Sequence, residues 1–109
     1  MAKLSLKASP TFPAKVGIPV PGGAPADVQF TFKHRTRAQL DQYMAELKAL
    51  GDDSVDNDVA IVFKVADGWD MDEPFNEANV RIFVENYHKA AWVIAQAYIT
   101  ELLQAKTGN

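Results

Sequence analysis

Residues 12–32 read FPAKVGIPVPGGAPADVQFTF, and the spacing of apolar side chains in this stretch decides how the chain begins to fold. Phe12, Ala14, Val16, Ile18 and Val20 occupy even positions, and Val28, Phe30 and Phe32 resume the same parity after an interruption. Successive side chains of a strand point to opposite faces, so a period of two gives two strands, each apolar on one face and polar on the other. Pro21-Gly22-Gly23-Ala24-Pro25 between them is rich in turn formers and has the length of a hairpin loop, which predicts an antiparallel pair. Pro13 and Pro19 lack the N–H that a ladder needs, so their strand is expected at a sheet edge. Such an edge resists unwanted pairing and is also a place where a partner's strand can add. Toward the N-terminus, Leu4 and Leu6 continue the even pattern and predict a further short run of strand.

Downstream of this sheet region, residues 1–35, the period changes to that of helices over residues 36–106. Thr36 is a fitting N-cap for a helix to about Leu50, with Leu40, Tyr43, Met44 and Leu47 on one stripe and Gly51 as the stop. Ser54 or Asp56 caps a second element in which Val55, Val59, Val62, Phe63 and Ala66 recur at helical spacing. The β-branched run Val59-Ala60-Ile61-Val62 also permits a strand, but the spacing favours a helix ending at Gly68. Asp70 to Pro74 reads as a loop. Asn76 then caps a third helix with Val80, Phe83, Val84 and Tyr87 on its stripe, and a fourth runs from about His88 to Lys106. That last helix is apolar on more than one side, through Ala91, Trp92, Ile94, Ala95, Tyr98, Ile99, Leu102 and Leu103, so it is either central or shared with a neighbour. Thr107-Gly108-Asn109 reads as a frayed tail. The expectation is an α+β fold, a small antiparallel sheet followed by about four helices.

A chain of 109 residues suits one domain, 1–109, since two would each be too small to bury a core. Its 48% hydrophobic content is too apolar for a disordered protein. With no cysteine it has no disulfide framework, thiolate metal site or cysteine nucleophile. Met1 to Pro10 lacks an apolar segment of signal-peptide length, and the longest apolar runs, Val59 to Phe63 and Ala90 to Ala95, fall short of a membrane span. The expectation is a cytoplasmic protein. The net charge of -3 is unevenly spread. Lys3, Lys7, Lys15, Lys33, Arg35 and Arg37 face only Asp27 in the first third, whereas Asp52, Asp53, Asp56, Asp58, Asp67, Asp70, Asp72 and Glu73 face only Lys64 in the middle. Such asymmetry steers a partner, lets copies of one chain meet, or simply makes solvated faces.

No catalytic device stands out. Asp52, Ser54 and Asp56 begin like a calcium loop, but Asn57 stands where the glycine belongs and Phe63 where the final glutamate belongs. Asp70 and Asp72 pair as an acid and a base only if a substrate lies between them; as loop carboxylates they hold backbone amides. His34, at the strand end, and His88, on the surface, belong to no triad or metal spacing, and Gly22-Gly23 is a turn rather than a phosphate cradle. Lys33, His34, Arg35 and Arg37 beside Phe30 and Phe32 suggest nucleic acid at first sight. The two Phe share a face with Val28, however, which makes them core, and the chain is anionic overall. Neither nucleic acid nor membrane is an expected partner, and no metal or cofactor site is expected. Trp69 and Phe75 flank the acidic loop, where large aromatics pin a loop or anchor a partner. Trp92 and Tyr98 point to different sides of the last helix, so at least one is available to an interface. Trp69, Phe75, Trp92 and Tyr98 are therefore the candidate partner-binding residues.

Taken in order, Phe12, Ala14 to Gly23, Phe30 to Arg37, Gly68-Trp69-Asp70 with Pro74-Phe75, and Asn86-Tyr87 resemble a family of tail assembly chaperones encoded by long-tailed phages and prophages. The likeness spans nearly the whole chain. Its most specific part is the hairpin joined to Phe30-Thr31-Phe32-Lys33-His34-Arg35-Thr36. What the resemblance implies is a non-enzymatic, cofactor-free protein. It would bind the long, helical tape measure protein, keep its apolar stripes from aggregating, help the tail tube protein polymerise around it, and leave before the tail matures. Such a chaperone acts in the host cytoplasm and is absent from the mature virion; self-association is a further expectation. His88-Lys89 departs from the helix-breaking Pro or Gly expected in relatives after Asn86-Tyr87. The rival readings are a structural minor tail protein retained in the virion and, further off, a small metal-dependent enzyme.

Overall fold

Even-numbered side chains form the inner face of the sheet. In the computed structural model, which describes Leu4, residues 6–51 and residues 53–103, strands β1 (Thr11–Ile18) and β2 (Ala26–Lys33) pair antiparallel. Phe12 stands opposite Phe32, Ala14 opposite Phe30 and Val16 opposite Val28, so apolar side chains meet across the ladder. Val16, Ile18, Val28, Phe30 and Phe32 are buried, while Pro13, Lys15 and Gly17 of β1 and Asp27, Gln29 and Thr31 of β2 face solvent. The loop between the strands turns at Gly22, whose φ of 76° favours glycine, and Gly23 N–H donates to the Val20 carbonyl at 3.0 Å. The strand order is β1-β2-β3, which leaves Pro13 on an edge strand.

The third strand, β3 (Ala66–Trp69), corrects the sequence reading. The second helix was expected to run to Gly68; instead it ends at Val65 and the backbone turns directly into a strand pairing antiparallel with β2, with a bulge at Thr31/Phe32. Four residues are too few to display a period of two, and the helical spacing continues through Ala66. The stop is imposed from outside, by the open edge of β2. The pairing extends one residue further: Asp70 N–H donates to the Gln29 carbonyl, and Asp70 Oδ1 accepts from Gln29 N–H, both at 3.0 Å. Leu4 and Leu6 also depart from expectation. Both lie outside any strand and are fully exposed, because two apolar residues without a paired neighbour cannot hold an extended segment.

The helices begin where their caps direct. Helix α1 (Arg37–Leu50) opens with a capping box: Thr36 Oγ1 accepts from Gln39 N–H, and Gln39 Oε1 accepts from Thr36 N–H. It stops at Gly51, whose φ of 71° lies in the region other residues avoid. Ser54 caps α2 (Val55–Val65) and Asn76 caps α3 (Glu77–Asn86), each side chain accepting from the amide three residues on. Helix α4 spans Ala90–Leu103, starting two residues later than expected; its expected continuation to Lys106 and the expected frayed tail lie outside the described residues. The break between α3 and α4 forms without Pro or Gly: Tyr87 is extended and Ala90 N–H donates to its carbonyl at 2.9 Å.

The helices cover the inner face of the sheet. Helix α4 lies against β1, and α2 packs against α3 and α4. Helix α1 approaches the rest of the backbone least closely of the four, attached through the buried Leu40 and Tyr43, the half-buried Leu47 and a Glu46–Lys64 ion pair at 3.0 Å. The result is an α+β fold with one contiguous buried cluster drawn from all the elements.

Candidate partner-binding surfaces

The four aromatic residues singled out in the sequence occupy three different settings. Tyr98 has no exposed surface and is the hub between sheet and helices. Its ring meets Phe12, Phe32 and Tyr43 with centroids 6.1, 5.3 and 5.7 Å away. Its hydroxyl donates to the Lys33 carbonyl at 2.7 Å and accepts from Arg35 Nη1 at 3.1 Å. The Arg35 guanidinium also lies 4.5 Å from the Tyr43 ring centroid. Burial to this degree gives Tyr98 an internal task and no area to offer a partner. Tyr43 beside it is 1% exposed, and its hydroxyl finds no hydrogen-bond partner among the described residues. Burial pushes that phenol up to about 12, against the pull of Arg35 and with a smaller push from Tyr98.

Trp69 and Phe75 come together at the acidic loop. Their rings meet edge to face at 5.1 Å; Trp69 also packs on Phe30 at 6.4 Å and Phe83 at 5.4 Å, and Phe75 on Phe63 at 4.9 Å. The Trp69 indole N–H donates to the Glu73 carbonyl at 2.7 Å, closing the loop on itself. Both residues are half-buried. The remaining face of Trp69, with Val20, Pro21, Met71, Ile82 and Tyr87, lines a groove of about 600 Å³ between the hairpin loop and α3.

Trp92 stands apart. It is 63% exposed on α4 and borders a second groove of about 590 Å³. Helix α4 contributes Trp92, Ala95 and Ile99 at helical spacing to this groove. Helix α1 contributes Met44, 43% exposed, with Leu47 and Leu50, and α2 contributes Ile61. The groove follows from the light attachment of α1, which leaves a seam between it and the α2–α4 layer. Its polar lining gathers at one end, where Asp53, Asp58, His88 and Lys89 lie. The Asp58 carboxyl is raised from 3.8, first by partial burial and then by the neighbouring Asp53 carboxylate.

The other candidates fall into ordinary places. Asp70 accepts the Gln29 amide and Asp72 is exposed. His34 is half-buried and its backbone N–H donates to the Pro10 carbonyl at 2.9 Å, while His88 is exposed. Lys33 Nζ donates to the Phe63 carbonyl at 2.8 Å. Among the described residues no three His, Cys, Asp or Glu side chains are grouped to hold a metal ion, and no helix is long and apolar enough to cross a membrane.

Sequence reasoning singled out Trp92 but not the wall opposite it. Met44 shares one apolar stripe of α1 with Leu40, Tyr43 and Leu47, and only the observed standoff of that helix turns its outer edge into a groove lining. Ile99 was noted as surplus on α4, which was the available signal.

A family described as phage tail assembly chaperone matches residues 1–109, the whole chain. Among curated proteins and among solved structures, none matches. The chain belongs to the phage tail assembly chaperone family.

Proposed function

We propose, with that membership as the premise, that this protein binds tape measure protein during tail assembly and seats one of its amphipathic helices in the groove between α1, α2 and α4. The observation that carries this reading is Trp92, a large aromatic left mostly in water on a helix whose opposite side is core. A groove walled by Met44, Leu47, Ile61, Trp92, Ala95 and Ile99 has the chemistry that an amphipathic helix needs, apolar anchors set at helical spacing with charged groups at one end. Shielding apolar stripes in this way keeps a long helical protein soluble until tail tube protein polymerises around it. The role is non-enzymatic, is carried out in the host cytoplasm, and ends before the particle matures. Trp69 and Phe75 serve it by holding the wall of the groove between the hairpin loop and α3, where tail tube protein is a fitting second partner.

Co-expression with the tape measure protein of the same genome tests the reading. Tape measure protein should become soluble and co-purify with this chain, Trp92→Ala should sharply reduce recovery without changing the melting temperature, and purified particles should lack the chain. Insoluble, unbound tape measure protein would overturn the proposal. Stoichiometric retention in particles would favour a structural tail protein instead.

A further inference from the structure

We infer that the helix seated between α1, α2 and α4 carries basic residues at the end lying over Asp53 and Asp58, so that the groove sets the direction of its occupant. The inference rests on the groove reading proposed above and adds the chemistry of the partner to it.

Three carboxylates on the helical side are paired among the described residues. Asp56 pairs with Arg81 at 2.8 Å, Glu77 with the same Arg81 at 3.5 Å, and Glu46 with Lys64 at 3.0 Å. Asp53 and Asp58 belong, with Asp41, Glu85 and Glu101, to the helical-side carboxylates without such a pair among the described residues, and they are the two that line the groove. Among the described residues neither has a hydrogen bond or an ion pair through its side chain, and Asp53 stands close enough to help raise the Asp58 carboxyl. Lys89 and His88 line the same end without pairing to either carboxylate, and Glu85 adds a third negative group in the continuing cleft. Two unpaired carboxylates at the mouth of an apolar groove repel an acidic segment and attract a basic one; charge complementarity of this kind selects partner and register more than it adds raw affinity. Because the remaining lining is largely apolar, the charge marks one end rather than the whole rim. From Ala90, where α4 begins, to Ile99 the wall is about 14 Å long at 1.5 Å per residue, so about two and a half turns of a bound helix cover it.

The test uses synthetic helical peptides of about 18 residues, long enough to overhang that wall and reach the carboxylates at its end. All carry the same stripe of Leu at i, i+3, i+4 and i+7, and three Lys, three Gln or three Glu at one end, placed N-terminally in one set and C-terminally in the other. Binding to the whole protein is followed by calorimetry. In one set the Lys peptide should bind about tenfold tighter than the Glu peptide at low salt, with the ratio shrinking at high salt. The ratio should fall near one in Asp53→Asn/Asp58→Asn and invert in Asp53→Lys/Asp58→Lys, with melting temperature confirming that both variants fold. If wild type binds all peptides equally and Trp92→Ala still removes binding, the charge inference is overturned and the groove reading stands. If no peptide binds, or Trp92→Ala binds them as well as wild type, the groove reading falls with it. A wild-type dimer in sedimentation that excludes the peptides and becomes a monomer in Trp92→Ala would assign the groove to a second copy and overturn both.

Discussion

Removing one hydroxyl from each of two neighbouring tyrosines should change stability in opposite directions. Tyr98 and Tyr43 are both buried, their rings meet edge to face at 5.7 Å, and Arg35 lies over both. They differ in hydrogen bonding. Tyr98→Phe deletes the donor to the Lys33 carbonyl at 2.7 Å and the acceptor for Arg35 at 3.1 Å while leaving the aromatic packing intact. Stranding buried polar groups in this way costs about 1–3 kcal/mol. Tyr43→Phe deletes a hydroxyl that was desolvated without a partner, so it should be neutral or stabilising by up to about 1 kcal/mol. For a chain of this length about 1 kcal/mol corresponds to roughly 4–5 °C in melting temperature. Thermal and denaturant unfolding followed by circular dichroism should therefore place Tyr98→Phe about 5–13 °C below wild type and Tyr43→Phe at or above it.

Alkaline unfolding supplies an independent readout of the same pair. The Tyr43 phenol is pushed from 10.0 to about 12 in the folded protein, so the folded state keeps a proton that the unfolded chain releases. Its contribution is whole below pH 10 and is lost as pH rises toward 12, so stability should fall across that window. Tyr43→Phe should flatten this loss. A Tyr43→Phe protein that loses more than about 1 kcal/mol, or an unaltered alkaline limb, would refute the claim of an unpartnered hydroxyl.

Other features give further expectations. Trp69→Ala and Phe75→Ala should each lower stability by about 2–4 kcal/mol in denaturant titrations, because each ring closes an aromatic cluster around the acidic loop; melting temperatures equal to wild type would make these residues dispensable to folding. Gly51→Ala should cost about 1–2 kcal/mol, since a φ of 71° is unfavourable for a residue with a Cβ, and an unchanged midpoint would mean that the end of α1 relaxes freely. Arg81→Ala should lower the melting temperature at low salt, through loss of its Asp56 and Glu77 pairs. The difference should disappear at high salt because all three side chains are solvent-accessible.

The parts of this fold that were legible in the sequence are those set by local rules. A period of two with a Pro-Gly-rich interruption dictated the hairpin and its inner face, and Thr36, Gly51, Ser54 and Asn76 marked helix ends by capping chemistry. Strand β3 was illegible because nothing local distinguishes Ala66-Asp67-Gly68-Trp69 from the end of a helix; the vacant edge of β2 makes it a strand. The groove proposed as a binding surface was half legible for a similar reason. Trp92 and Ile99 were visible as surplus apolar residues on α4, but a groove needs two walls, and the placement of α1 depends on contacts far apart in sequence.

The composition of α4 then has a physical account. One side of the helix, Ala91, Ile94 and Tyr98, completes the core and carries the hydrogen bonds that join sheet to helices. A helix with only that task would present polar residues elsewhere, because exposed apolar side chains lend the fold little and invite aggregation. Instead Trp92 remains 63% exposed, Ile99 is half-buried, and Met44 faces them from a helix held mainly by Leu40, Tyr43, Leu47 and one ion pair. Burying those side chains better would require α1 to move inward and close the seam. The present arrangement leaves apolar area in water on both walls while the core beneath stays complete. The proposed capture and later release of an apolar helix would use that combination, since a groove bordering a complete core can be filled and emptied without unfolding the protein that carries it.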